Sequence, residues 1–471
     1  MSKSRDPTCY IEAFHDKVTG SRHLVSVVFP DGDKCKFVVD YGQYREDEYL
    51  YLNQITPFNG ENIDFILLTH PHNDHIGLLP SFVKKGFYNP IYAVNDCKTI
   101  MGVSLSDSCG IIKRDAKATK QKPIYGDADV VHTLANSVCC EFNKPLQLKE
   151  RIKVTFFMNG HVPGAACIFI QISYPGSEDI NILFTGDYKK ENVFFDVDPI
   201  PDEVFDLPIT IVTESTYGTT DSDEIQYTFK KNVSKAISEG KTIVIPVIAF
   251  HRAQEVLYTL KCMQEDGSLS TDIPIYLDGK LAQRYTKLYM QGRIKIKESM
   301  KDFLPDNLTW VDKVSRPNVI YNSDAKIIVS SSGMGSFGPI QLYLYNLVPR
   351  KNVLIQFTCY VAGNTLGRRL KDAIKGDTVK ICGVERAVHA DIEFTSEFSS
   401  HAKADELINF LRQFKDIKLI IVNHGDVEVK EAFTRRIDRE VQAKNVVIIN
   451  RAYLYRIDRY GLCKRMPTKQ K

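Results

Sequence analysis

Thr69-His70-Pro71-His72-Asn73-Asp74-His75-Ile76-Gly77 is the stretch that decides both fold and chemistry. The preceding Phe65–Leu68 is apolar, the pattern of a buried strand, so the run is delivered at a strand end. Three histidines and an aspartate within six residues are hard to explain by packing. Neutral imidazole and carboxylate oxygen are the ligand mixture that zinc accepts. His70 and His72 can converge on one ion, while Asp74 and His75, one turn further into the loop, can reach a second. The alternative is a polar, capped loop.

One run cannot complete two sites. Further candidates stand at other strand ends: His161 in Asn159-Gly160-His161-Val162-Pro163-Gly164-Ala165, Asp187 in Phe184-Thr185-Gly186-Asp187-Tyr188, and His424 in Val422-Asn423-His424-Gly425-Asp426. Asp40 ends another strand in Val38-Val39-Asp40-Tyr41-Gly42. A turn histidine alone is usually structural, and a strand-end aspartate alone is as often a helix cap. Together, five strand ends each deliver His or Asp beside Gly, and sites in layered α/β proteins gather at such ends.

Around these ends the chain has two textures. Up to about residue 205, strand-like runs such as His23–Phe29, Lys36–Asp40, Lys153–Met158 and Ile180–Thr185 alternate with loops. From 206 to 390, strands precede helices: Ile209–Thr213 before Glu224–Glu239, Thr242–Val247 before Arg252–Gln264, and Lys326–Ser330 before Gln341–Leu347. That alternation predicts a parallel sheet. The first texture then returns, and the basic tail Lys464–Lys471 is expected to fray.

Composition narrows the class. The 471 residues are 43% hydrophobic and 25% charged, which is globular and long enough for two or three domains. A net charge of +3 neither announces nucleic-acid binding nor forbids a local basic groove. Eleven scattered cysteines without a C-x-x-C pair read as reduced thiols of a cytoplasmic protein. Met1–Pro7 is too polar for a signal peptide, and the apolar run Ile243–Phe250 is too short to span a bilayer, so no membrane association is expected.

Asp40, then His70-x-His72-x-Asp74-His75, then His161 and Asp187, resemble in content and order the metallo-β-lactamase superfamily. Thr213-Glu214-Ser215-Thr216-Tyr217-Gly218, Phe398-Ser399-Ser400-His401-Ala402 and Asn423-His424-Gly425-Asp426 resemble the three motifs of its nucleic-acid-processing β-CASP branch. The chain is most similar there to bacterial and archaeal relatives of the cleavage and polyadenylation factor's endonuclease subunit. Two departures stand out: Lys403 where the second motif carries Asp, and Asp426 where Glu is common.

The resemblance implies a four-layer αββα metallo-β-lactamase domain, residues 1–205 and 391–471, interrupted by a β-CASP domain, residues 206–390, with helices flanking a parallel sheet. It implies two zinc ions, one on His70, His72 and His161, the other on Asp74, His75 and His424, with Asp187 bridging. Asp40 would orient a ligand imidazole. His401, oriented by Glu214, would protonate the leaving 3′ oxygen. The implied activity is hydrolysis of RNA, single-stranded by preference, to 5′-phosphate and 3′-hydroxyl ends, by endonuclease or 5′-exonuclease action or both, in RNA processing or decay, as a homodimer or in an RNA-processing complex. His424 in the third motif favours RNA, where Artemis-like DNA nucleases carry Val. Ser331, Ser332, Gly333 and Arg369 are candidates for holding RNA phosphates, against a plain glycine turn and a solvated helix face. Lys403, if its side chain turns inward, would disfavour the protonated form of His401. A different hydrolase on the same core, or a non-catalytic scaffold, are the remaining alternatives.

Overall fold

The computed structural model describes residues 6–468, so Met1–Arg5 and Lys469–Lys471 lie outside the described residues. The chain divides into two units: residues 1–222 with 400–471, and residues 223–399.

The first unit is built on two sheets. One has eight strands, and Phe65–Leu67 lies in it between Lys34–Val39 and Ile91–Val94, parallel to both. The other has seven, with Ile180–Phe184 between antiparallel Ala166–Ile172 and parallel Pro208–Thr213, and Asp416–Val422 beyond. Val25, Phe37 and Leu67 of one sheet share a core with Val154, Ile168, Ile182 and Leu419 of the other. The outer faces are covered by helices: Leu79–Lys84 and Asn95–Ala118 on the first sheet, Ala404–Leu411 and Val427–Glu440 on the second. These are the four layers αββα.

The second unit is a six-stranded, all-parallel sheet with helices on both faces. Its order is Leu308–Val311, Ile275–Asp278, Lys326–Ser330, Thr242–Pro246, Val353–Phe357 and Asp391–Phe394. Central strands such as Lys326–Ser330 are buried along their whole length, which is why they read as unbroken apolar runs. Charged side chains also enter this interior, Lys326 and Asp278 among them. Asp278 is buried and takes a two-pronged contact from Arg316 (Nε 2.5 Å, second nitrogen 3.0 Å) and a hydrogen bond from the Tyr343 hydroxyl at 2.8 Å.

Several expectations change. The boundaries fall at 222/223 and 399/400, not 205/206 and 390/391. Pro208–Thr213 pairs with strands of the first unit, and Asp391–Phe394 adds to the sheet of the second. The helix expected from Glu224 begins at Phe229, where the Glu397 carboxylate accepts the Phe229 N–H at 2.9 Å. Gly461–Pro467, expected to fray in part, pairs with Tyr453–Asp458 as a charged edge strand. No cysteine among the described residues is in a disulfide. Among the described residues no helix is long and apolar enough to cross a membrane.

Candidate metal centre

Phe65–Leu67 is fully buried, and Pro71 holds the residue before it out of helical conformation. His70 and His72 therefore leave the strand two residues apart on an extended stretch, facing the same way. A short helix, Asn73–Ile76, then turns Asp74 and His75 back toward them. Two of the other strand ends adopt left-handed backbone, at Asp40 (φ 60°) and His424 (φ 48°). Such a conformation strains a side-chain-bearing residue and tends to persist at functional sites. Gly186, at φ 57°, lets the chain pass so close to Thr69 that a Cβ there would lie 2.8 Å from the threonine Cβ.

These turns converge on Asp187. Its Oδ2 lies 3.4 Å from His70 Nε2, 3.6 Å from His161 Nε2 and 3.9 Å from His401 Nε2. Its Oδ1 lies 3.4 Å from His75 Nε2 and 3.3 Å from His424 Nε2. His161 Nε2 and His72 Nδ1 are 3.1 Å apart. Asp74 Oδ2 is 4.0 Å from His75 Nε2 and 3.9 Å from His424 Nε2. Donor atoms of His70, His72, His161 and Asp187 form one group within 4.8 Å, and those of Asp74, His75 and His424 form another.

A second ring of contacts fixes five of the imidazoles. Asp40 Oδ2 is 2.7 Å from His75 Nδ1, and both Asp40 oxygens accept from Thr69, its N–H and its hydroxyl, at 2.8 Å. Thr69 Oγ1 is 3.1 Å from His70 Nδ1. The Ser400 carbonyl is 2.9 Å from His161 Nδ1, and Thr216 Oγ1 is 2.9 Å from His424 Nδ1. His401 Nδ1 is 2.9 Å from Glu214 Oε2, while the other oxygen of Glu214 accepts the Tyr188 N–H.

The donor set fits zinc. His70 Nε2, His75 Nε2, His424 Nε2 and Asp187 Oδ1 are buried without a hydrogen-bond partner, an expensive arrangement unless a cation fills it. Nitrogens at about 2.0–2.1 Å from a tetrahedral zinc lie about 3.3 Å apart, close to the spacings found. Burial holds the imidazoles of His70 and His161 far below the ordinary range and that of His72 at about 4, so all three are neutral donors. At Asp187 burial opposes ionisation, but His424 and His75 outweigh it and hold the carboxyl well below its usual range. His75 moves the other way: burial lowers it, yet Asp187 and Asp40 carry it well above ordinary histidine. For His401, burial is again overcome, by Glu214 first and Asp187 second, and the net shift is upward.

All seven expected ligand positions, with Asp40, His401 and Glu214, thus stand in one place. Lys403 does turn inward. It is buried, its Nζ stands 3.5 Å from the centre of the Tyr217 ring, and that ring is 6.2 Å from His401. The candidate phosphate loop lies in the other unit. The Ser331 and Ser332 amides already donate to Asp278 and Phe337 carbonyls, each at 3.3 Å, and a Cβ on Gly333 would meet Cys359 Sγ at 2.8 Å. Arg369 is exposed. The contacts made by Thr69, Thr216 and the Ser400 carbonyl have no sequence signal, and neither does that of His23, whose Nε2 is 3.1 Å from Asn423 Nδ2.

Known families match three parts of the chain: the metallo-beta-lactamase superfamily over residues 19–106, the Beta-Casp domain over 253–370, and the Zn-dependent metallo-hydrolase RNA specificity domain over 385–449. An RNase J-like protein of Methanocaldococcus jannaschii is 28% identical over 421 residues, 85% of this chain and 90% of its own length. Ribonuclease TTHA0252 of Thermus thermophilus is 27% identical over 425 residues, covering 88% and 91%. The transcription termination factor FttA of Cenarchaeum symbiosum is 25% identical over 389 residues, 78% of this chain but 58% of its own. With its zinc-type donor cluster at the strand ends of two facing sheets and a parallel-sheet insert, the chain belongs to the metallo-β-lactamase superfamily, as a β-CASP metallo-hydrolase with an RNA specificity domain.

Proposed function

We infer that this hydrolase is a two-zinc ribonuclease that cleaves single-stranded RNA to 5′-phosphate and 3′-hydroxyl ends. The observation that carries this is the sorting of donors around Asp187: His70 and His161 face one oxygen, His75 and His424 the other. His72 completes the first group and Asp74 the second, so Asp187 serves both. Zinc bound there would supply Lewis acidity at the phosphodiester and lower the pKa of water toward about 7. Asp40 and Thr216 fix the ring orientations of His75 and His424 by holding their Nδ1 atoms. His401 keeps Nδ1–H on Glu214, leaving Nε2–H to be given to the departing 3′ oxygen. The upward shift of its pKa, for which Glu214 is the first cause, favours the protonated form. Lys403 does not prevent this, because Glu214 dominates. RNA as substrate is supported by the RNA specificity match, which spans His401 and His424, and by relatives named as ribonucleases.

The test combines elemental analysis with cleavage of 5′-labelled and internally labelled RNA and of DNA of the same sequence. About two zinc ions per chain, loss of activity on chelation, ligatable 5′-phosphate ends and much slower DNA cleavage are expected. An active preparation without transition metal, or equal rates on RNA and DNA, would overturn the assignment.

A further inference from the structure

The second unit carries an aromatic rim that neither its core nor the metal centre uses. In its sheet, Thr242–Pro246 neighbours Val353–Phe357. The chain leaves Thr242–Pro246 toward Ile275–Asp278 on one side and leaves Val353–Phe357 toward Asp391–Phe394 on the other. The carboxyl ends of these two strands are therefore a topological switch point, where open α/β sheets leave a binding crevice. Ile248 follows one strand and Tyr360 the other, while Phe337 stands in the loop after Lys326–Ser330, the next strand over. They are 41%, 59% and 77% exposed. The three loops touch: a Cβ on Gly333 would lie 3.0 Å from Ile248 N and 2.8 Å from Cys359 Sγ, and Leu366 N donates to Ser336 Oγ at 2.9 Å. Among the described residues neither Phe337 nor Tyr360 pairs with another aromatic ring. Arg368, which pairs with Asp372 at 2.8 Å, is also close enough to the Tyr360 phenol to interact with it electrostatically, and it and Arg369 are exposed at the adjoining helix start.

Scattered apolar side chains on a surface mean little. Exposed rings on adjoining loops of a switch-point rim, flanked by guanidinium groups, match a ligand that offers flat faces along an anionic thread. We propose that Ile248, Phe337 and Tyr360 form a shelf on which bases of single-stranded RNA stack, with Arg368 and Arg369 holding the backbone. This rests on the ribonuclease function inferred above and names a surface of the second unit that grips its substrate. The arginines favour RNA over an apolar protein partner, and stacking is indifferent to base sequence.

The experiment measures anisotropy of two labelled, cleavage-resistant phosphorothioate ligands, a 12-residue oligoadenylate and an abasic 12-residue ribose-phosphate backbone. The full chain is compared with Phe337→Ala, Tyr360→Ala and Tyr360→Phe. Both side chains are exposed, so the variants should melt with the wild type. Each alanine variant is expected to bind oligoadenylate about 5- to 100-fold more weakly, the usual worth of one base stack, and to bind the abasic backbone as before. Tyr360→Phe should keep wild-type affinity. An unchanged ratio of oligoadenylate to abasic affinity would overturn the shelf. So would sedimentation showing that the alanine variants dissolve a wild-type dimer, since a second copy would then cover the rim. Parallel cleavage assays separate the two claims: RNA cleaved with an unchanged ratio removes the shelf alone, and a changed ratio without any cleavage removes the ribonuclease function alone.

Discussion

Asp187 and Asp278 are both buried carboxylates at the ends of apolar strands, one in each unit. The chain neutralises Asp278 itself, with the guanidinium of Arg316 and the hydroxyl of Tyr343. Around Asp187 it supplies five imidazole nitrogens at 3.3–3.9 Å, and Oδ1 accepts no hydrogen bond. A buried charge is tolerated only when paired. The difference teaches how to tell a carboxylate that holds a fold from one that awaits a cation: the first is satisfied by fixed donors, the second faces groups that are themselves unsatisfied.

The sharpest way to break the comparison is to remove each carboxylate. Asp187→Ala should leave no measurable RNA cleavage and lower the bound zinc, because a ligand does both jobs. Retained zinc and cleavage would make Asp187 as structural as Asp278. His401→Ala comes next, slowing cleavage about 10²–10⁴-fold with zinc content intact. Glu214→Gln should slow it less and move the alkaline limb of the kcat profile to lower pH, since the carboxylate that raises His401 is gone. The double variant should be little worse than His401→Ala. Zinc lost from His401→Ala would place that imidazole among the ligands instead.

Asp278→Ala should destabilise the second unit by about 1–3 kcal/mol in urea titrations, because the half-buried Arg316 and the Tyr343 hydroxyl lose their shared partner, while zinc per chain stays the same. A pH-dependent effect concerns His23, which burial holds at about 3. Its unfolded imidazole takes up a proton near 6.5 while the folded one does not. Stability therefore falls as pH drops from about 6.5 toward 3, by about 1.4 kcal/mol per pH unit. His23→Gln should remove that one-proton slope in acid denaturation of the metal-free chain; an unchanged slope would show that His23 is already charged in the fold.

The cluster of candidate ligands was legible because each member sits in a short local pattern, an apolar strand ending in His or Asp beside Gly. What holds the imidazoles was not. Thr69, Thr216 and the Ser400 carbonyl act through contacts that span up to 239 positions in the sequence, and threonines and main-chain carbonyls carry no signature. The 24-residue helix Asn95–Ala118 has no clear apolar stripe, since Ser104 and Ser108 occupy buried positions and Gly102 and Gly110 weaken its propensity. The domain boundaries moved because a strand's apolar run does not say which sheet it joins: Pro208–Thr213 finds its neighbours at Ile180–Phe184 and Asp416–Val422. Lys403 was visible, and its inward turn was the condition set for it, but its resting place on Tyr217 was not.

The order in which the first unit receives its parts matters during synthesis. Its strand Pro208–Thr213 waits for Asp416–Val422, and Thr8–Ala13 waits for Tyr453–Asp458. At about 5–20 residues per second, the first of these gaps alone holds the ribosome for roughly 10–40 s. His401 and His424 are among the last functional residues to emerge. A nascent chain that ends before residue 400 therefore lacks one of the imidazoles facing each oxygen of Asp187, His401 at Oδ2 and His424 at Oδ1.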